Sequence, residues 1–116
     1  MEPVITEIVQ KEIDKFANKE VYLHLETTAG AYASHFDEKF FSSGAYIRNA
    51  LVQYERGKIA GSGPSYRVGL KMPIGWIYAE GITHFEVDSS GRLLLAGHDY
   101  SGKLAVCLEI SLNPFE

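Results

Sequence analysis

The chain has 116 residues, 46% of them apolar and 22% charged, and its 11 Lys and Arg against 15 Asp and Glu leave a formal charge of -4. That size suits one domain, 1–116, because a second unit would fall to roughly 50 residues or fewer, where a core needs staples, and one cysteine supplies none. The balance excludes disorder and coiled coil, no apolar run reaches the ~20 residues of a spanning helix, and the scattered basic residues argue against nucleic acid as a partner.

The N-terminus, Met1 to Glu7, is acidic and quickly amphipathic, without the basic start and continuous apolar stretch of a signal peptide, which predicts a cytoplasmic protein. Ile5, Val9, Ile13, Phe16 and Ala17 follow helical spacing, with Glu7, Lys11, Glu12, Asp14 and Lys15 on the other faces. The spacing predicts an amphipathic helix within residues 1–18, with Pro3 in its first turn and Asn18 at its end. So short a helix is marginal alone and must lay its apolar stripe on something larger.

From Glu20 the period changes to two. Val21, Leu23 and Leu25 alternate with Tyr22, His24 and Glu26, a strand with one buried face. Gly30 marks a turn, Ala31 to Phe36 reads as a further strand, and Asp37-Glu38-Lys39 as a charged turn. Phe40 to Tyr54 is rich in β-formers, interrupted at Gly44 and bent near Asn49-Ala50. Gly61-Ser62-Gly63-Pro64 is a turn before the alternating Tyr66 to Lys71. Trp76 to Glu80, Ile82 to Val87, Leu93 to Ala96 and Leu104 to Ser111 follow, with connections short enough to predict an antiparallel meander. Leu93 to Ala96 is apolar at both parities, which predicts a strand covered on both faces, by the helix or by a second subunit in a homo-oligomer. The fold class is therefore α+β, mostly β: one N-terminal helix (1–18) on an antiparallel meander (20–112) closed into a small barrel or sandwich.

Several residues carry candidate chemistry. His24 and Glu26, two apart on a strand, share a face and suit two metal ligands or an acid/base pair, unless that face is simply the wet side of the strand. His98, at a strand end beside a turn, is the candidate third ligand. Glu80 shares a face with Trp76 and Tyr78, where flanking aromatics can raise a carboxylate pKa. Arg48, at matching parity with Tyr46, suits a carboxylate or phosphate, although pairing with an acid of the same chain is the simpler fate for it and for Arg67. His35 and His84 read as structural or exposed, and Cys107 as a small buried hydrophobe. The glycine-rich stretches lack phosphate-loop and GxSxG spacing, so neither supports phosphate-loop or serine-hydrolase chemistry.

Val21-Tyr22-Leu23-His24-Leu25-Glu26-Thr27-Thr28, Ala45-Tyr46-Ile47-Arg48-Asn49-Ala50, Arg67-Val68-Gly69-Leu70-Lys71, Gly75-Trp76-Ile77-Tyr78-Ala79-Glu80-Gly81, Leu93 to His98 and Gly102 to Ala105 resemble the YojF-like family of small bacillus proteins. The resemblance runs over nearly the whole chain. It implies a Gram-positive, cytosolic origin and a functional neighbourhood with a deacetylase of bacillithiol synthesis, and it carries no catalytic residue over. The first expectation is a non-catalytic binding or accessory module in which Tyr46, Arg48, Trp76, Tyr78 and Glu80 meet a small molecule or a partner enzyme. The second is a small metal-dependent enzyme using His24, Glu26 and His98. The sequence points to no particular cofactor.

Overall fold

A computed structural model describes residues 1–29 and 43–116. The turn at Gly30, the strand Ala31 to Phe36, the turn Asp37 to Lys39, the start of the Phe40 segment and His35 lie outside the described residues. The chain opens on a two-residue strand, β1 (Glu2–Pro3), so Pro3 pairs with His84 instead of starting the helix. The helix α1 spans Thr6–Phe16 and buries Val9, Ile13 and Phe16, whereas Ile5 precedes it and is partly exposed. Asn18 closes the exit with φ 61°, a left-handed conformation that Asn tolerates.

Eight strands follow: β2 (Val21–Ala29), β3 (Ser43–Val52), β4 (Arg56–Ala60), β5 (Tyr66–Lys71), β6 (Trp76–Ile82), β7 (His84–Val87), β8 (Leu93–His98) and β9 (Leu104–Ser111). They form two antiparallel sheets, one ordered β1-β7-β8-β9-β2-β3 and the other β4-β5-β6. Neither sheet closes on itself among the described residues, so the arrangement is not a barrel. The expected meander holds for β7-β8-β9 but not for β6 and β7, which belong to different sheets. The chain changes sheet at Gly81, whose φ of 91° only glycine adopts readily, and Thr83 then bonds to β8 through its N–H to Ala96 O at 2.9 Å.

The core lies between these layers. Val9, Ile13 and Phe16 of α1 meet Ile59, Val68 and Leu70 of the smaller sheet, and Val21, Leu23, Leu93, Leu95, Leu108 and Ile110 complete the cluster from the larger one. Alternation along each strand explains this membership, since residues two apart share a face. Tyr54 is fully buried, and its hydroxyl donates to Ile13 O at 2.5 Å, satisfying a carbonyl in the last turn of α1. Burial, helped by Asp14, raises the Tyr54 pKa, so the phenol keeps its proton. In β8, Leu93, Leu95 and Ala96 are buried within the chain and Leu94 half-buried.

Candidate functional site

The outer face of the larger sheet carries the first cluster. The β2–β3 register places His24 opposite Arg48, and the β2–β9 register places Glu26 opposite Cys107. His24 and Glu26 do share a face, but it is not a wet one: His24 is 6% exposed and its Nε2 lies 2.9 Å from Glu26 Oε1. Arg48 Nη1 lies 3.2 Å from His24 Nδ1. A guanidinium can only donate, so Nδ1 presents its lone pair, and the ring proton sits on Nε2 and points at the Glu26 carboxylate. Arg48 also donates to the main-chain oxygen of Glu116 at 2.7 Å and stacks over the Phe115 ring. Its partners are therefore an imidazole, a main-chain oxygen and an aromatic face, not the acid expected for it.

Cys107 joins this cluster: its sulfur, a His24 ring nitrogen and a Glu26 oxygen all lie within 4.8 Å of one another. That set has the chemistry of a zinc site, yet a metal on His24 Nε2 would drive the ring proton to Nδ1, against the donor face of Arg48. The cluster is built as a hydrogen-bonded chain from Arg48 through His24 to Glu26. Burial, reinforced by Glu109 and Glu26, pushes the Cys107 thiol up to about 12. At pH 8 only about one thiol in 10⁴ is then ionised, which leaves no nucleophile. Iodoacetamide at pH 8 should accordingly leave Cys107 unmodified in the folded protein and alkylate it in urea, by intact mass; fast alkylation of the folded protein would contradict this.

The outer face of the smaller sheet carries the second cluster. Here the registers set three rows across β4, β5 and β6: Arg56–Lys71–Trp76, Lys58–Gly69–Tyr78 and Ala60–Arg67–Glu80. Trp76 and Tyr78 stay exposed, at 46% and 54%, and stack with ring centroids 5.5 Å apart and planes 8° from parallel. Gly69 makes this possible, because a Cβ there would come within 2.9 Å of the Tyr78 ring. Lys71 lies over Trp76 and Arg67 over Tyr78, each within 6 Å of the ring centre. Arg67 is held by Glu80 through a forked pair of contacts as short as 2.9 Å, as the excess of acids predicts. Arg56 and Lys58 meet no carboxylate among the described residues. With Gln10 of α1 they border a pocket of ≈ 580 Å³ whose floor is the aromatic pair.

Trp76, Tyr78 and Glu80 thus share one face, but Tyr46 and Arg48 stand on the other sheet, so the five residues do not form one surface. His98 is likewise separated from His24 and Glu26, with β9 lying between β8 and β2. Its neighbour is His84, read from sequence as structural or exposed. The two Nδ1 atoms are 3.1 Å apart, and Thr83 Oγ1 lies 2.7 Å from His84 Nδ1. Burial, with His98 beside it, holds the His84 pKa below the usual histidine value. The signal for this pair was the hairpin across Asp88 to Arg92, which brings 84 and 98 to the same end, but the exact register needed coordinates.

A family described as a protein of unknown function, DUF1806, matches residues 3–115. The chain belongs to that family. DUF1806 also holds the expected resemblance: the chain is 54% identical over 115 residues to the uncharacterized protein YojF of Bacillus subtilis (strain 168), covering 99% of this chain and 98% of YojF. The crystal structure of Bacillus subtilis YojF is similar, with a TM-score of 0.84 and 50% identity, covering 99% of this chain and 96% of that one. The antiparallel sheets described above are thus a DUF1806 fold. Among the described residues no helix is long and apolar enough to cross a membrane.

Proposed function

We propose that this DUF1806 protein is a binding module whose outer β4-β5-β6 face holds a small ligand with a flat ring and a phosphate or carboxylate. One observation carries the reading: an exposed, parallel Trp76–Tyr78 pair lies over a glycine and faces two cations, Arg56 and Lys58, that no carboxylate among the described residues neutralises. The exposed aromatic pair leaves apolar surface in water that a stacked ring would cover. A ring stacks on the aromatic pair while its anionic group reaches the β4 cations across Gly69. The pocket volume, ≈ 580 Å³, suits a ligand of nucleotide size. Among the described residues that line it there is no histidine, cysteine, serine or carboxylate, which favours binding over catalysis.

Trp76 is the sole tryptophan, so its fluorescence reports this face directly. Adenosine 5′-monophosphate should quench it saturably, and adenosine or inorganic phosphate alone should bind more weakly. Loss of a stacking ring costs ~1–3 kcal/mol, so Tyr78→Ala should weaken binding about tenfold or more. Lys58→Glu should do the same without touching the aromatic pair. Absence of saturable quenching by the monophosphate and by benzoate, or an unchanged affinity in Lys58→Glu, would overturn the reading.

A further inference from the structure

We infer that His84 and His98 form a binding site for a borderline divalent transition metal at the junction of the two sheets. The site rests on different residues from the β4-β5-β6 face and stands or falls separately. Two imidazoles bound to one tetrahedral ion through bonds of ~2.0–2.1 Å hold their ligand nitrogens about 3.3 Å apart. The two Nδ1 atoms already stand 3.1 Å apart, with rings inclined at 65°. Thr83 Oγ1, 2.7 Å from His84 Nδ1, holds that ring in place by a hydrogen bond. Without a metal a proton on one Nδ1 can bridge to the other, and an ion replaces that bridge with a bond to each nitrogen.

The backbone places this set firmly. His98 N donates to Thr83 Oγ1 at 3.0 Å and Thr83 N to Ala96 O at 2.9 Å, so the hydroxyl and both rings are fixed to the β7–β8 ladder at the register shift after Gly97. Among the described residues no Lys or Arg lines the pocket beside the pair, in contrast to His24, whose Nδ1 is occupied by Arg48. The two imidazoles open onto a pocket of ≈ 630 Å³ bordered by Tyr66, Asp99 and Tyr100, so remaining coordination positions face space where water or an anionic group of a small molecule fits. Two imidazoles suit Zn²⁺, Co²⁺, Ni²⁺ or Cu²⁺ and not Mg²⁺ or Ca²⁺, which take oxygen ligands.

Titration of the metal-free protein, prepared without a His-tag, with Zn²⁺ followed by calorimetry should show one ion per chain, and Co²⁺ should give visible d–d absorption. His84→Gln and His98→Gln should each weaken Zn²⁺ binding at least tenfold, whereas His24→Gln and Cys107→Ser should leave it unchanged. Protection of His84 and His98 by Zn²⁺ against diethyl pyrocarbonate, mapped by peptide mass, provides a readout on the native chain that needs no variant. Binding that survives both glutamine variants, Zn²⁺ with no protection of either ring, or loss of binding only in His24→Gln or Cys107→Ser would overturn the assignment.

Discussion

Replacing Gly97 by alanine should unfold the protein or lower its stability by about 3 kcal/mol, the upper part of the range for an overpacked core. A Cβ built at Gly97 lies 2.1 Å from Gly81 O and 2.6 Å from Val106 Cγ1. The first neighbour is backbone, so no rotamer change relieves the overlap, and β6 must move away from β8. Gly97 has no positive φ, which means that the whole penalty is steric. Gly91 and Gly102 supply the contrast: their φ values are 78° and 80°, but a Cβ at either meets nothing within 4 Å. Alanine there should cost only the left-handed strain of about 1–2 kcal/mol. For a domain of this size ~3 kcal/mol corresponds to a fall in Tm of roughly 10 °C, readable by calorimetry. A Gly97→Ala protein melting within a degree or two of the parent would show that the sheets are not pressed together at this point. Because His98 follows directly, a destabilised but folded variant should also lose affinity for Zn²⁺.

The same glycine pair shows where the sequence stops being informative. Alternation in Val21 to Glu26, Tyr66 to Lys71 and Trp76 to Glu80 reports which side chains share a face, because pleating is local. It fixed the Trp76–Tyr78–Glu80 grouping and the His24–Glu26 pair, and the excess of acids foreshadowed the Arg67–Glu80 contact. It does not report which strand lies beside which. Tyr46 and Arg48 look equivalent to Trp76 and Tyr78 in period and composition, yet the chain changes sheet between β3 and β4, which puts the two groups on different layers. A short hairpin brings His84 and His98 to one end, but their meeting depends on its register and on one irregularity after Gly97. Burial of His24 was equally hidden: the residues that close over it, Arg48 and Phe115, come from β3 and from the far end of the chain.

Asn49 is what brings that far end back, and substitutions there should separate a backbone effect from a hydrogen-bonding one. The register runs from Leu23 opposite Ala50 to His24 opposite Arg48, which leaves Asn49 as the unpaired residue of a bulge, with φ 59°. Its side-chain amide brackets Phe115 as a neighbouring strand would, Nδ2 donating to Phe115 O at 2.7 Å and Oδ1 accepting from Phe115 N at 2.6 Å. Asn49→Gly keeps the left-handed backbone and loses both bonds, worth ~0.5–1.5 kcal/mol each, so a loss of about 2 kcal/mol is expected. Asn49→Ala adds the left-handed strain of ~1–2 kcal/mol and should cost about 3 kcal/mol. Equal losses in the two variants would mean that the bulge tolerates any residue, and no loss in either that the bracket does not hold Phe115. In both variants release of Phe115 should uncover the His24 ring, which then reacts with diethyl pyrocarbonate faster than in the parent while His84 and His98 keep their rates. That selectivity tests the geometry rather than general loosening, because among the described histidines only His24 lies against the Phe115 ring, at a centroid distance of 6.4 Å.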